Sequence, residues 1–264
     1  MPNLLNEITS NKALEVERAK TKRPLLELIF LCRESSRTVR DFSTAIRSEA
    51  GLAIVAEIKM SSPSSRNILT GIGYEEMAKI YQGSGVLSAI SAVTDWKYFR
   101  GDIGFIKTVK KAAKVPVLRK DFIIDSYQIY ESYAAGADAI LLIASILDGR
   151  KLKQFISIAH NLGMSCLVET HSRADIDAAI DAGAKIIGIN SRDLSTFKLD
   201  KGLFEALSGY IPKDVIKVAE SGIDGKEDAI SALRAGADAI LVGTSLLTAE
   251  NPAEKMRELV RIAR

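Results

Sequence analysis

The chain has 264 residues, with 36 Lys+Arg against 33 Asp+Glu for a formal net charge of +3, and it is 47% hydrophobic and 26% charged. That balance fits a packed globular protein with room for one large α/β barrel or two modest domains, and it excludes disorder, collagen and coiled coil. The longest apolar run, Ala139 to Ala144, falls far short of the ~18 residues that cross a bilayer, and the small, scattered positive charge excludes a nucleic-acid surface.

The N-terminus reaches Glu15, Glu17, Arg18 and Lys20 without the apolar stretch of a signal peptide, so cytoplasmic residence is the expectation. Leu4 to Lys20 and Pro24 to Cys32 read as two helices, the second opened by a proline suited to a first helical turn. The basic cluster from Arg18 to Arg23 reads as a solvated helix face. Residues 1–50 are expected to form a helical extension packed on a larger domain spanning 51–264. Cys32 and Cys166 lie far apart in a chain with no sign of secretion, so both are expected to be unpaired core residues.

One phrase recurs: Ala135-Gly136-Ala137-Asp138-Ala139-Ile140, Ala182-Gly183-Ala184-Lys185-Ile186-Ile187 and Ala235-Gly236-Ala237-Asp238-Ala239-Ile240, with Gly83-Ser84-Gly85-Val86 as a looser copy. Each reads as a helix ended by a glycine and followed at once by an apolar strand. The marking glycines Gly85, Gly136, Gly183 and Gly236 stand roughly fifty residues apart, and a strand-plus-helix unit of a barrel takes about half of that, so four marks imply eight units. The strands are expected at Ala53 to Ile58, Val86 to Val93, Val115 to Leu118, Asp138 to Ile143, Met164 to Glu169, Ile186 to Asn190, Val215 to Glu220 and Asp238 to Gly243. They are continuous apolar runs, as parallel strands buried on both faces require. Helical stretches with charged faces separate them, for example Arg173 to Ala182 and Lys226 to Ala235. A doubly wound open sheet is the competitor, but neither of its Gly-rich phosphate motifs, G-x-G-x-x-G or G-x-x-x-x-G-K-[ST], occurs in the chain. The fold expected is a single (β/α)8 TIM barrel with an N-terminal helical extension.

In such a barrel the reactive groups gather where the strands finish. The first strand ends in Glu57-Ile58-Lys59, the third leads into Lys120-Asp121, the fifth ends on Glu169, the sixth on Asn190 with Arg192 just beyond, and the seventh on Glu220-Ser221-Gly222. Taken singly, each could be a solvated rim residue, Asn190 could satisfy a turn and Ser221 could cap a helix. Five units contributing in register point instead to one cavity able to hold an anion and to exchange protons. Ser221-Gly222 after strand seven and Gly243-Thr244 after strand eight stand where barrels build phosphate sites from backbone N–H groups. The hydroxyl-rich loop Ser61-Ser62-Pro63-Ser64-Ser65 either closes over such a phosphate or merely connects. His160 and His171 have no metal-ligand spacing and are expected at the surface. No nucleophile elbow is present, which argues against a hydrolase.

These residues resemble the indole-3-glycerol-phosphate synthase family. The resemblance runs through Ala56-Glu57-Ile58-Lys59 with Ser62-Pro63-Ser64, Thr94-Asp95 with Phe99-Arg100-Gly101, Pro116 to Phe122 including Lys120-Asp121, and Leu167-Val168-Glu169. It closes with Gly188-Ile189-Asn190-Ser191-Arg192-Asp193-Leu194, Glu220-Ser221-Gly222-Ile223 and Leu241-Val242-Gly243, and it covers nearly the whole chain. It implies ring closure of 1-(2-carboxyphenylamino)-1-deoxyribulose 5-phosphate to indole-3-glycerol phosphate with loss of CO2 and water, in tryptophan biosynthesis, with no cofactor and no metal. It further implies Lys120 as the general acid of ring closure, Lys59 at the anionic end of the substrate, and Glu169 as the acid/base of dehydration. Glu57 either orients Lys59 or takes the last ring proton. Asn190, Arg192, Glu220 and Ser221 position substrate, and Ser62, Gly222, Gly243 and Thr244 hold phosphate.

Some positions depart from the family pattern. Ser65-Arg66-Asn67 follows where many members carry Lys-Gly, Ser191 replaces a second Asn, and Thr244 stands where Ser or Glu is commoner. None of these removes an acid or a base. The partner expected is a small phosphorylated molecule, with no nucleic acid and no membrane, acting on a monomer that touches other tryptophan-pathway enzymes only transiently. Two other readings stay open: a phosphosugar aldolase using Lys120 or Lys59 as a Schiff-base nucleophile, and a non-catalytic phosphate-ligand binding protein.

Overall fold

The glycines of the recurring phrase all adopt left-handed backbone, with φ of 75° at Gly85, 102° at Gly136, 85° at Gly183 and 87° at Gly236. A side chain there would be strained, so glycine stops each helix and turns the chain into the next strand. Gly163, at φ 76°, does the same before the fifth strand, a copy without the flanking alanines. The computed structural model describes residues 4–47, 51–63, 68, 71–193 and 196–261.

Three helices lead: α1 (Leu4–Lys22), α2 (Leu25–Glu34) and α3 (Phe42–Ile46). Then follow β1 (Ala53–Ile58), α4 (Tyr74–Gly83), β2 (Ala89–Val93), α5 (Trp96–Phe99), α6 (Gly104–Ala112), β3 (Val117–Lys120), α7 (Ser126–Ala135) and β4 (Ala139–Ile143). The second half runs α8 (Gly149–Asn161), β5 (Ser165–Thr170), α9 (Arg173–Asp181), β6 (Ile186–Asn190), α10 (Leu203–Ser208), β7 (Ile216–Glu220), α11 (Lys226–Arg234), β8 (Ala239–Val242), α12 (Thr244–Leu247) and α13 (Pro252–Val260). Helix starts are set by short polar side chains that accept backbone N–H groups: Asp125 for α7, Asp148 for α8, Ser172 for α9 and Asn251 for α13. Among the described residues, eight parallel strands pair in chain order, and β8 closes onto β1.

Two strands depart from the sequence expectation by more than one residue, while β4, β5, β7 and β8 shift by a single residue at one end or both. β2 begins at Ala89 rather than Val86, because the chain leaving Gly85 joins the ladder only where Ser88 N–H donates to the Ile54 carbonyl. β3 spans Val117–Lys120 rather than 115–118. Pro116 has no N–H to give, and the first donor, Val117 N–H, goes to Asp138. The shift brings Arg119 and Lys120 into the strand.

The register sets which side chains meet. Glu57 pairs with Ser91 and Ser91 with Leu118, so Lys120 lies two residues above the level of Glu57. The same step of two recurs from Lys120 to Glu169, from Glu169 to Glu220 and from Glu220 back to Glu57. That accumulated stagger closes a barrel with the shear typical of this fold. One layer inside the barrel therefore consists of Val55, Leu118, Leu167 and Val218, all buried and in contact with one another's cluster. The layer above it, from the same four odd-numbered strands, is Glu57, Lys120, Glu169 and Glu220.

The leading helices are fastened at both ends of the barrel. Phe42 and Ile46 of α3 are fully buried in the inner core, and Ser43 Oγ lies 3.0 Å from Ser165 Oγ at the start of β5. At the other end, Lys12 of α1 is 2.9 Å from Asp95 and 2.9 Å from Asp121, and its side chain is only 5% exposed. Asp121 also accepts from Thr94 (2.6 Å) and pairs with Arg119 (3.0 Å). Replacing Lys12 by Met takes the cation from buried Asp95 and leaves Asp121 with Arg119 alone, and should destabilise the protein by ~3–5 kcal/mol. Thermal or denaturant unfolding of the Lys12→Met variant, compared with wild type, measures it.

Candidate active site

Above the apolar layer the barrel opens into a cavity of about 450 Å³. Its floor is the charged layer. Lys120 Nζ donates to Glu169 Oε2 at 3.1 Å and to Glu220 Oε2 at 3.2 Å. Glu57 Oε1 accepts from Lys59 Nζ at 2.6 Å. Lys59 follows Glu57 by two residues and so turns to the same side of the strand.

The three glutamates are nearly inaccessible to water, and their titration separates accordingly. Burial disfavours the Lys120 ammonium, yet the attraction of Glu169, Glu220 and Glu57 more than offsets it and drives the pKa well above the ordinary lysine value. Glu220 is pushed up to about 8, first by burial and further by its neighbours Glu169 and Glu57, against the pull of Lys120. Glu169 is just as buried, but Lys120, His171 and Asn190 outweigh burial and hold it below its usual range. The two carboxylates beside one ammonium are thus pushed apart, Glu169 toward its ionised form and Glu220 toward its protonated form. In Glu57, too, the lysines Lys59 and Lys120 overcome burial and lower the pKa.

Two glycines make room for this chemistry. A Cβ on Gly188 of β6 would collide with the Glu220 carboxylate, and one on Gly243 would collide with the Glu57 carboxylate and meet Lys59 Nζ at 3.1 Å. Gly188 lies in β6 beside β7, which carries Glu220, and Gly243 directly follows β8, which pairs with β1 and its Glu57.

The opposite wall is built from backbone. Ser221 and Gly222 both take left-handed φ, 64° and 77°. Gly243 precedes α12, which Thr244 opens, and Ser245 Oγ donates to the Ile223 carbonyl at 2.9 Å, tying the turn after β7 to the turn after β8. Arg192 Nη1 donates to the Phe197 carbonyl (3.1 Å), and Arg192 N–H to Asn190 Oδ1 (3.0 Å). Arg192 and the turns after β7 and β8 thus line one side of the same cavity.

Glu57, Lys59, Lys120, Glu169, Asn190 and Glu220 all line this one cavity, as do Ser62, Arg192, Ser221, Gly222, Gly243 and Thr244. Residues 64–67 of the loop after β1, and Leu194, lie outside the described residues. Lys120 closes strand β3 rather than following it. His160 is exposed as expected, but His171 is not a surface residue: it is partly buried, with Nε2 3.7 Å from Glu169 Oε1. Its spacing of two from Glu169 was the available signal, since extended residues two apart share a side. Gly188 carries a comparable signal, since a glycine inside a strand marks a close approach.

A family profile described as Indole-3-glycerol phosphate synthase matches residues 5–259. The chain is 42% identical to the indole-3-glycerol phosphate synthase of Endomicrobium trichonymphae over 97% of its own length and 99% of that protein. It is 40% identical to that of Legionella pneumophila strain Paris, over 98% and 99%. Among solved structures, 3-hexulose-6-phosphate synthase from Salmonella typhimurium superposes with a TM-score of 0.63 at 16% identity, covering 79% of this chain and 96% of that one. That likeness shows the barrel fold.

The raised pKa of Glu220 has a consequence for stability. The folded protein keeps a proton up to about pH 8 that an unfolded glutamate releases above ~4.3, so this residue lowers stability progressively as pH rises between those values. Glu220→Gln carries no such proton. Its Tm should exceed that of wild type most at and above pH 8, with the gap closing toward pH 4–5, as thermal unfolding across that range measures.

Proposed function

The chain belongs to the indole-3-glycerol phosphate synthase family, and from that premise we infer that it closes the indole ring. Its substrate is 1-(2-carboxyphenylamino)-1-deoxyribulose 5-phosphate, its product indole-3-glycerol phosphate, and CO2 and water leave. The observation that carries the reading is Lys120 Nζ, 3.1 and 3.2 Å from Glu169 and Glu220 on the floor of a cavity whose rim suits a phosphate.

The aromatic carbon bearing the carboxylate attacks the ribulose carbonyl carbon, and the carbonyl oxygen becomes an alkoxide. Lys120, kept charged by its carboxylates, gives that oxygen its proton, because a developing alkoxide is the stronger base. Glu220 lies against the same nitrogen and holds a proton at neutral pH, so it can restore the ammonium. CO2 then departs and its bonding pair returns the ring to aromaticity. The new hydroxyl leaves as water, and a ring proton is lost in exchange. Glu169 serves this dehydration as acid/base. The 2.6 Å contact between Glu57 and Lys59 favours Glu57 as the group that orients Lys59 toward the substrate's anionic end. Asn190, Arg192 and Ser221 position the chain of the substrate, and Ser62, Gly222, Gly243 and Thr244 hold its phosphate. Substrate, product, CO2 and water balance with no electrons gained or lost, so the scheme calls for no redox cofactor.

A Schiff-base aldolase needs its lysine as a neutral amine. The carboxylates around Lys120 do the reverse, which counts against that alternative. A binding protein has no use for a carboxyl kept protonated to about pH 8 beside an ionised one.

The same reading takes residues 1–50 as an extension and 51–264 as the catalytic barrel, supported by β1 starting at Ala53 and by Lys12 reaching across to Asp121. We place the enzyme in the cytoplasm, which suits two buried free cysteines, Cys32 and Cys166, and take it to work as a monomer with transient contacts to pathway neighbours. No described helix is long and apolar enough to cross a membrane.

Purified protein given the carboxyphenylamino substrate should generate indole fluorescence, and borohydride should trap no adduct. Lys120→Met should lower kcat by ~10²–10⁴-fold; near-normal turnover would sink its assignment. In Glu169→Gln, dehydration should slow enough for a decarboxylated intermediate to build up in single-turnover quench experiments.

A further inference from the structure

The end of β5 carries a second titratable side chain that the scheme above leaves idle. His171 follows Glu169 by two residues, and its ring lies against that carboxylate. Nε2 is 3.7 Å from Glu169 Oε1 and 3.2 Å from the carbonyl oxygen of Arg192. Glu169 Oε2 accepts from Lys120, whereas Oε1 is buried and makes no hydrogen bond among the described residues. The histidine backbone is fixed as well: its N–H donates to Asp175 Oδ2 at 3.0 Å, and the next residue, Ser172, caps α9.

Two acceptors therefore face one ring nitrogen. A lone pair on Nε2 would oppose the lone pairs of both oxygens, so Nε2 carries the hydrogen. The N–H bonds the Arg192 carbonyl and turns its positive end toward Oε1 of Glu169, a carboxylate that Asn190 also helps to hold. Arg192 in turn donates its own N–H to Asn190 Oδ1. The imidazole thus joins the ends of β5 and β6 where both line the cavity.

We propose that His171 is a positioning residue for Glu169: its Nε2–H holds the carboxylate between the imidazole and the Lys120 ammonium and ties it to the Arg192 backbone, aimed at the substrate. The charged groups around the ring are Glu169 of β5, Asp175 of α9 and Arg192 beyond β6, with Lys120 of β3 on the far side of Glu169. A donor facing Glu169 favours its ionised form, the form that accepts a proton during dehydration.

The proposal rests on the proton-transfer role given to Glu169, and the wild type separates the two. No turnover by wild type with the carboxyphenylamino substrate overturns the function; turnover by wild type with unimpaired variants overturns the proposal alone. His171→Leu removes the donor, while His171→Gln keeps an N–H near the position of Nε2. His171→Leu should lower kcat about tenfold, as expected for losing the N–H dipole that faces Glu169 Oε1 from 3.7 Å, with KM within about twofold of wild type. The acid limb of its kcat–pH profile should move to higher pH, because Glu169 then takes up a proton more readily. His171→Gln should recover most of kcat and return the limb. A merely structural histidine would lower Tm or the active fraction without moving the limb. Wild-type kcat and an unmoved limb in His171→Leu, or a His171→Gln variant as impaired as His171→Leu, overturns the proposal. Should His171→Leu fail to fold, His171→Asn, whose amide is too short to reach, takes its place against His171→Gln with the same outcomes.

Discussion

Lys120 Nζ lies 3.1 Å from one buried carboxylate and 3.2 Å from another, with a third, Glu57, in the same layer of the barrel. An ammonium and three carboxylates cannot all stay charged in so dry a place without strong mutual compensation, since each loses its hydration. The compensation is distributed. Lys120 and Lys59 supply two positive charges, Glu57 and Glu169 stay ionised, and Glu220 keeps its proton to about pH 8. The floor of the cavity is then close to neutral at physiological pH while holding an acid and a base side by side. Glycine at 188 and 243 is the steric condition for it, because any side chain there would displace Glu220 or Glu57.

The barrel is what makes such a layer buildable. A stagger of two residues between successive odd strands brings Glu57, Lys120, Glu169 and Glu220 to one level, directly above Val55, Leu118, Leu167 and Val218. The lower layer is apolar and closely packed, so the charged one rests on a base that admits little water. The clamp from the N-terminal helix acts beside it. Lys12 binds Asp121, the residue after Lys120, while Arg119, the residue before, binds the same carboxylate from the other side. The backbone on both flanks of Lys120 is thereby fixed from outside the barrel, and the leading helices belong to the support of the site.

Much of this was legible in the residues. The Ala-Gly-Ala phrase carried the period of the barrel because the helix-ending turn demands a positive φ that glycine alone adopts easily, and Gly85, Gly136, Gly183 and Gly236 all have it. Strand ends were read from where apolar runs meet charge, which located the glutamates and lysines. The reading slipped at β3, where Pro116 accepts from Ile90 but has no N–H to donate, and the strand moves two residues onward to include Lys120. It also slipped at His171, whose burial against Glu169 depends on how β5 and β6 lie together. Lys12 gave no local sign at all, since its partners Asp95 and Asp121 are distant in sequence and meet it only when α1 packs. The substrate itself came from family resemblance; no geometry of acids, bases and a phosphate rim names an aromatic amine.

The central claim is that the charged layer holds a proton on one buried carboxyl at neutral pH. Titration of glutamate side-chain carboxyls by 13C NMR tests it most directly. The account predicts a carboxyl signal titrating near pH 8 that is missing from the Glu220→Gln protein. If every glutamate signal of the folded wild type instead titrates in the ordinary range around ~4–5, the division of labour between Glu169 and Glu220 is contradicted.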